Sequence, residues 1–269
     1  MDSIIRPLDI AGLREQFRAA KPFPFFAIDD FLDATFAADV VAAYPTYEQA
    51  RQMGREFSGV NERLKVDVSS SSRFPAPVKQ LSDAMASTEF LGALEQITGI
   101  KSLLADANLL GGGMHLTGPS GLLDVHVDFN YDERRKLHRR LNILVYLNPG
   151  WQDSWGGAIE LWDKDVKNCV QSFQPILNRC VVFETSEISF HGVSQNRCPP
   201  GQVRKSFAAY YYTKEAPEGW DGVAHSTVFR ARPDEFLRGA ILMPAERARR
   251  SLNGGIGRVK GLVKQLLRK

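Results

Sequence analysis

The chain has 269 residues, 43% of them hydrophobic and 24% charged, which is enough apolar material for one substantial core and too much for a disordered chain. Its net charge of +3 is unevenly placed: residues 246–269 carry eight Lys or Arg against one acid, which leaves residues 1–245 at −4. The body therefore lacks the positive field of a nucleic-acid-binding protein.

The N-terminal stretch MDSIIRPLDIAGLREQF is amphipathic and has no signal-peptide core, so cytoplasmic residence is expected. No apolar run approaches the roughly 18 residues of a membrane-spanning helix. Leu8, Ile10, Leu13 and Phe17 repeat with a helical period over 7–20, and PFPFFAIDDFL at 22–32 reads as an extended entry strand. Asp33 is a good N-cap for a helix to about Ala43, which Pro45 stops. Residues 49–72 give mixed signals and read as a long loop with short strands. One helix is predicted over 78–98, with Leu81, Met85, Phe90, Leu91, Leu94 and Ile97 on its apolar face.

From about Leu103 the pattern changes to short β-rich runs such as LLDVHVDF, RLNILVYLN, GGAIELWD, RCVVFET and KSFAAYYYT, separated by Gly, Pro and Asn. Many short strands indicate a sandwich or barrel, so the expected class is mainly β with flanking helices. The Gly111-Gly112-Gly113 run lacks the Lys-Ser/Thr pair of a phosphate loop and is expected to serve close backbone approach or a bulge. Cys169, Cys180 and Cys198 are odd in number and lack metal-ligand spacing, so no disulfide framework is expected.

His126 and Asp128 stand at i and i+2 of a predicted strand, where side chains share a face. A His-x-Asp alone is common by chance, and a third ligand must come from elsewhere. Of the five histidines, His191 is the one that follows the strongly apolar run CVVFET. Two imidazoles and one carboxylate form the donor set of non-haem Fe(II) sites, and three ligands on one octahedral face leave room for a bidentate 2-oxo acid and O2. A 2-oxo acid with a distal carboxylate needs a buried cation, for which a planar guanidinium is well matched. Arg204, Ser206, Ala208 and Tyr210 share one strand parity, and so do Asn142, Leu144 and Tyr146. Arg204, with Ser206 beside it and the Tyr146 hydroxyl and Asn142 as further donors, is the preferred anchor. A slip of one residue would turn Lys205 inward instead.

The segments HVDFN, LNILVYLNPGW, GGAIELW, HGV and RKSFAAYYY, in this order and spacing, resemble the prolyl-4-hydroxylase-like branch of the Fe(II)/2-oxoglutarate-dependent dioxygenases. The match is close over about 104–214, and PFFAIDDFL looks like that branch's lead-in. The resemblance implies a double-stranded β-helix (jelly-roll, cupin-like) core. It implies an iron site at His126, Asp128 and His191, with 2-oxoglutarate anchored by Arg204 and Tyr146. The CPPGQV stretch lengthens the connection between His191 and the basic residue, which leaves Arg204 or Lys205 open. The implied chemistry is hydroxylation of an unactivated C–H bond with release of succinate and CO2, O2 as co-substrate and ascorbate as a supporting reductant. Asp128 argues against halogenation, since halogenases of this superfamily have a small residue there.

The remaining signals are weaker. His115 is more simply a core or rim histidine than a metal-tuning donor. His138, within ERRKLHRR, is expected on a solvated loop whose Arg134, Arg135, Lys136, Arg139 and Arg140 border the substrate entrance. His225 reads as a structural cap, and Trp151, Trp155 and Trp162 as wall packing around the Gly156-Gly157 turn. In the tail 251–269, Ile256, Val259, Leu262, Val263, Leu266 and Leu267 form an apolar face bordered by cations, suited to an anionic membrane surface, a partner protein or the domain itself. Gly257 and Gly261 weaken it as a free helix.

The expected organisation is a single domain: support elements over 1–103, the catalytic β core over 104–214 and a C-terminal extension over 215–269. The substrate is read only as a small molecule or a prolyl, other amino-acid-derived, peptidyl or glycan group, met by loops around 117–125, 129–140, 151–156 and 195–203. Two rivals stand beside the oxygenase: a zinc-dependent hydrolase at the same ligands, and a non-catalytic β-barrel binding module.

Overall fold

The computed structural model describes residues 4–235 and 238–244. The basic tail at 245–269 therefore lies outside the described residues, and the membrane or partner contact expected of it has no structural account.

The support elements come first in the chain. Helix α1 (Ile10–Ala19) is capped by Asp9, whose carboxylate accepts from Gly12 N. The entry segment contributes only a four-residue strand, β1 (Phe25–Ile28). Helix α2 (Ala34–Ala43) starts at the expected Asp33 cap, which accepts from Phe36 N at 3.0 Å. The stretch expected to be mostly loop holds helix α3 (Tyr47–Met53) and the hairpin β2 (Arg55–Ser58) and β3 (Glu62–Val68). Helix α3 is announced by a capping box: Thr46 Oγ1 accepts from Gln49 N, and Gln49 Oε1 accepts from Thr46 N. The single helix predicted over 78–98 is two, α4 (Ala76–Met85) and α5 (Thr88–Thr98). Ser87 breaks it by capping Phe90 N, and Gly99, at φ +80°, ends the second.

The β core follows with β4 (Leu104–Ala105), β5 (Gly113–Val127), β6 (Tyr131–Asp132), β7 (Leu137–Tyr146), β8 (Ile159–Trp162) and β9 (Cys169–Phe173). It continues with β10 (Cys180–Glu184), β11 (His191–Val193), β12 (Arg204–Thr213) and β13 (Val228–Arg230). Among the described residues these strands curl into one sheet whose main path runs β1-β10-β7-β12-β5-β11-β8-β9. The fifteen-residue β5 links the two halves of the curl. Its first part pairs with β12, from Gly113–Ala208 to Thr117–Arg204, and its second with β11, where His126 faces His191. Hairpin β2–β3 extends the sheet on the other flank of β5. The architecture is that of a double-stranded β-helix.

Alternation along the strands separates the core from the interior of the curl. Leu141, Ile143 and Val145 of β7, Phe207, Ala209 and Tyr211 of β12, Met114 and Leu116 of β5, and Val66 and Val68 of β3 pack in one cluster with Phe17, Val40, Leu81, Met85, Phe90 and Leu94 of the helices. Burying each large side chain contributes about 1.5–3 kcal/mol. The residues of opposite parity, among them Asn142, Leu144, Ser206, His115, Thr117, Lys65 and Asp67, line a cavity of about 570 Å³. Gly113 permits the close approach of β5 to the chain after β3: with φ at +91°, a Cβ there would lie 2.3 Å from Val68 O.

Candidate metal centre

His126 is the penultimate residue of β5, His191 opens β11, and Asp128 lies just past the end of β5. One ligand atom from each lies within 4.8 Å of the others, and theirs is the cluster of three such groups found among the described residues. His126 Nε2 is 3.6 Å from Asp128 Oδ1, and His191 Nε2 is 3.5 Å from Asp128 Oδ2. Both imidazoles are fixed by the same local device. His126 Nδ1 donates to Asp124 O and His191 Nδ1 to Ser189 O, each at 2.9 Å and each two residues back. The Nδ1–H tautomer leaves both Nε2 lone pairs facing the carboxylate, which is the arrangement a metal requires.

Electrostatics favour the same protonation states. Burial, with help from His126, lowers the His191 pKa to about 3, so the ring is neutral at ordinary pH. Burial alone would raise the Asp128 carboxyl, but the Arg139 guanidinium beside it more than offsets this and holds it well below the ordinary carboxylate range.

At the other end of the cavity, Arg204 is 3% exposed. Its Nε donates to Gly157 O at 2.6 Å and its Nη1 to Ser206 Oγ at 3.4 Å. Gly157 admits this contact because a Cβ at its φ of +70° would press within 3.1 Å of Arg204 Cδ. The guanidinium carbon lies 5.0 Å from the centre of the Tyr146 ring. Arg204 Nη2 and the Tyr146 hydroxyl are buried and make no hydrogen bond among the described residues. Burial lowers the arginine pKa and raises that of Tyr146 to about 12, against the pull of Arg204. A buried cation and a buried hydroxyl with unused donors fit a carboxylate ligand, since unsatisfied buried donors are costly. Lys205 faces the opposite way, with Nζ 5.9 Å from the Tyr44 ring, and lines a separate surface pocket.

Three expectations change. Asn142, read as a donor to the 2-oxo acid, instead gives its Nδ2–H to Asp128 Oδ2 at 2.7 Å and takes Arg139 Nε at 2.9 Å. His138 is not on a solvated loop: it is 5% exposed on β7, with its ring 4.4 Å from Trp220 and 4.7 Å from Tyr131. The charge run around it is largely neutralised, with Arg135 on Asp132 and Asp106, Arg139 on Asp128 and Arg140 on Glu184. Arg139 is the residue that strand alternation misses. The register of β7 against β12 passes from Leu141–Tyr211 to Arg139–Tyr212, so Arg140 is an extra residue, and the bulge turns Arg139 onto the same side as Asn142.

The other histidines are elsewhere engaged. His115 lines the cavity with Nε2 on Gly111 O at 2.9 Å, and burial and then Lys65 hold it well below its usual pKa. His225 Nε2 sits 2.7 Å from Glu187 Oε2. Trp151 and Trp155 form an edge-to-face pair, whereas Trp162 packs apart from them with Val125, Val127, Val166 and Phe190. Two parts of the cavity wall come from outside the expected loops. The hairpin β2–β3 supplies Arg55, Phe57, Glu62, Lys65 and Asp67, and the strand β13 and its lead-in supply Phe229 and Thr227. Lys65 is paired with both Glu62 and Asp67, and the Phe229 ring lies 5.3 Å from that of His126.

Residues 112–212 match the family model described as the 2OG-Fe(II) oxygenase superfamily. Prolyl 3-hydroxylase OGFOD1 of Mus musculus is 41% identical over 61 residues, 21% of this chain and 11% of that protein. Its counterpart from Xenopus laevis is 33% identical over 90 residues, 31% of this chain and 17% of that one. The matched segments thus span less than a fifth of the length of these relatives. In fold, the chain is similar to a Trichoplax adhaerens prolyl hydroxylase in complex with a hypoxia inducible factor peptide fragment (TM-score 0.55, 17% identity, 75% of this chain and 88% of that one). It is also similar to a Pseudomonas putida prolyl-4-hydroxylase (TM-score 0.53, 19% identity, 75% and 98%). The family match spans all three candidate ligands and Arg204, and over residues 112–212 the curled-sheet core of this chain is similar to the 2OG-Fe(II) oxygenase superfamily.

Proposed function

We propose that the protein is an Fe(II)- and 2-oxoglutarate-dependent hydroxylase whose substrate presents a prolyl or related amino-acid-derived C–H bond, within a peptide or as a small molecule. The observation that carries this reading is the sharing of one cavity by two unlike groups. His126, Asp128 and His191 meet at one side, and the buried Arg204 with unused donors lies on the same wall system.

Each residue has a definite task. His126 and His191 present Nε2 to the metal because their Nδ1–H groups are held by backbone carbonyls. Asp128 supplies the anionic ligand and remains ionised. Arg204 Nη2 and the Tyr146 hydroxyl take the distal carboxylate of 2-oxoglutarate, with Ser206 steadying the guanidinium. Leu144, Ile159, Phe183 and Val193 line the same space and give it an apolar wall. The metal and 2-oxoglutarate supply the reaction of O2 that inserts one oxygen into the substrate C–H bond and leaves the other in succinate, with release of CO2. No protein acid or base is needed for that balance. The substrate's approach lies along hairpin β2–β3 and Thr227 and Phe229, which complete the cavity wall. The prolyl assignment is supported by the names of the sequence relatives and rests on their partial overlap with this chain.

The test is anaerobic addition of Fe(II) and then 2-oxoglutarate to metal-free protein. A visible metal-to-ligand charge-transfer band is expected, reached only at far higher 2-oxoglutarate in Arg204→Ala. Folded protein that develops no band would overturn the reading.

A further inference from the structure

We propose that Arg139 and Asn142 form a paired clamp on Asp128 that selects which carboxylate oxygen faces the metal and thereby sets the metal affinity of the site. The inference rests on the oxygenase reading and concerns two residues that reading leaves unused.

Both donors converge on one atom. Arg139 Nη2 is 3.1 Å from Asp128 Oδ2, and Asn142 Nδ2 is 2.7 Å from the same oxygen. The two ligand histidines do not choose between the oxygens, with His126 Nε2 3.6 Å from Oδ1 and His191 Nε2 3.5 Å from Oδ2; a carboxylate oxygen has two in-plane lone pairs, so the two donors occupy Oδ2 and leave Oδ1 as the free acceptor. The clamp is itself braced. Arg139 Nε donates to Asn142 Oδ1 at 2.9 Å, so guanidinium and amide are locked to each other as well as to the carboxylate. Thr185 Oγ1 adds a longer contact to the same amide oxygen, at 3.4 Å.

The guanidinium is also held by aromatic faces. Its central carbon lies 3.6 Å from the centre of the Tyr210 ring and 4.8 Å from that of Phe129. Tyr210 is in turn pinned by its hydroxyl, which donates to Gly111 O at 2.8 Å. A planar guanidinium suits this slot because its faces stack while its edge donates, which an ammonium cannot do. At 4% exposure, Arg139 has no use as a solubilising surface charge. With Oδ2 engaged, Asp128 would offer a bound metal a single oxygen, Oδ1.

The test measures Co(II) affinity and the visible ligand-field bands of the Co(II) complex for wild type, Arg139→Ala, Arg139→Lys and Asn142→Ala, alongside melting of each metal-free protein. The clamp predicts that Arg139→Ala and Asn142→Ala each weaken Co(II) binding by about 10- to 100-fold and alter the band pattern. Arg139→Lys restores only part of the affinity, because it returns the charge without the fork. Asn142→Ala keeps the proposal testable should Arg139→Ala fail to fold. Wild-type affinity and bands in Asn142→Ala and in any folded Arg139 variant would overturn the clamp, even if melting shifts. A wild type that binds no Co(II) at His126, Asp128 and His191 would instead overturn the oxygenase reading, and the clamp with it.

Discussion

Arg204 keeps a guanidinium at 3% exposure with one nitrogen unsatisfied, a costly arrangement unless a ligand completes it. Charge-assisted hydrogen bonds of this kind contribute about 1.5–3 kcal/mol. Arg204→Ala is therefore expected to weaken 2-oxoglutarate binding by about 10- to 150-fold while leaving metal affinity near wild type, as read by isothermal titration with a redox-inert metal. Equal affinities for 2-oxoglutarate would contradict the anchor. At this scale the sequence was informative wherever a residue type and its parity sufficed. His126 and Asp128 could be paired from spacing, whereas parity only favoured Arg204 and left Lys205 open; the structure turns Lys205 away, towards the Tyr44 ring. Asn142 was placed on the correct face but given the wrong neighbour, because its partner Asp128 lies beyond a strand end where alternation no longer applies.

Elements were legible where caps or periodicity were strong, and lost where a short signal was overlooked. Asp33 announced α2 correctly, whereas the Thr46 and Gln49 box that starts α3 sat in a stretch read as loop. Ser87 divides α4 from α5 by one side-chain hydrogen bond, and the apolar periodicity runs on through the break. Ser87→Ala should lower stability by about 1 kcal/mol in urea denaturation, and no change would show that the break is set by packing alone. Bulges are harder to read than caps, since one extra residue on one strand leaves no mark in composition. The Arg140 bulge in β7 is why the charge run ERRKLHRR gave no hint that Arg139 reaches the metal site. The close approach at Gly113 was legible as a glycine run but not its partner. Gly113→Ala, with a Cβ 2.3 Å from Val68 O at φ +91°, is expected to cost at least about 2 kcal/mol, and wild-type stability would contradict the stated fit.

For the whole molecule, the decisive contacts are between strands remote in sequence: β5 joins β12 through its first part and β11 through its second. The count of strands suggested a sandwich or barrel, and the family resemblance, rather than periodicity, supplied the double-stranded β-helix. That β3 and β13 would wall the cavity depends on pairing across more than forty residues, which local pattern does not encode. Burial of neutral histidines also has a global consequence. His115 and His191 are both held below the usual value of 6.5, His191 at about 3, so the unfolded chain binds protons that the folded one refuses. The stabilisation is complete above pH 6.5 and is lost as pH falls towards 3, with a slope of up to about 2.7 kcal/mol per pH unit for the two groups. Urea midpoints of metal-free protein across that window should fall accordingly, and a flat profile would contradict neutral burial.

The central claim is that one cavity binds a divalent metal at one side and a dicarboxylate at the other. Crystals grown anaerobically with Mn(II) and 2-oxoglutarate test it most directly. The account predicts anomalous density bounded by His126 Nε2, His191 Nε2 and an Asp128 oxygen, with the distal carboxylate of 2-oxoglutarate on Arg204 Nη2 and the Tyr146 hydroxyl. Metal bound elsewhere, or 2-oxoglutarate absent from Arg204 while metal fills the three-residue site, would contradict it.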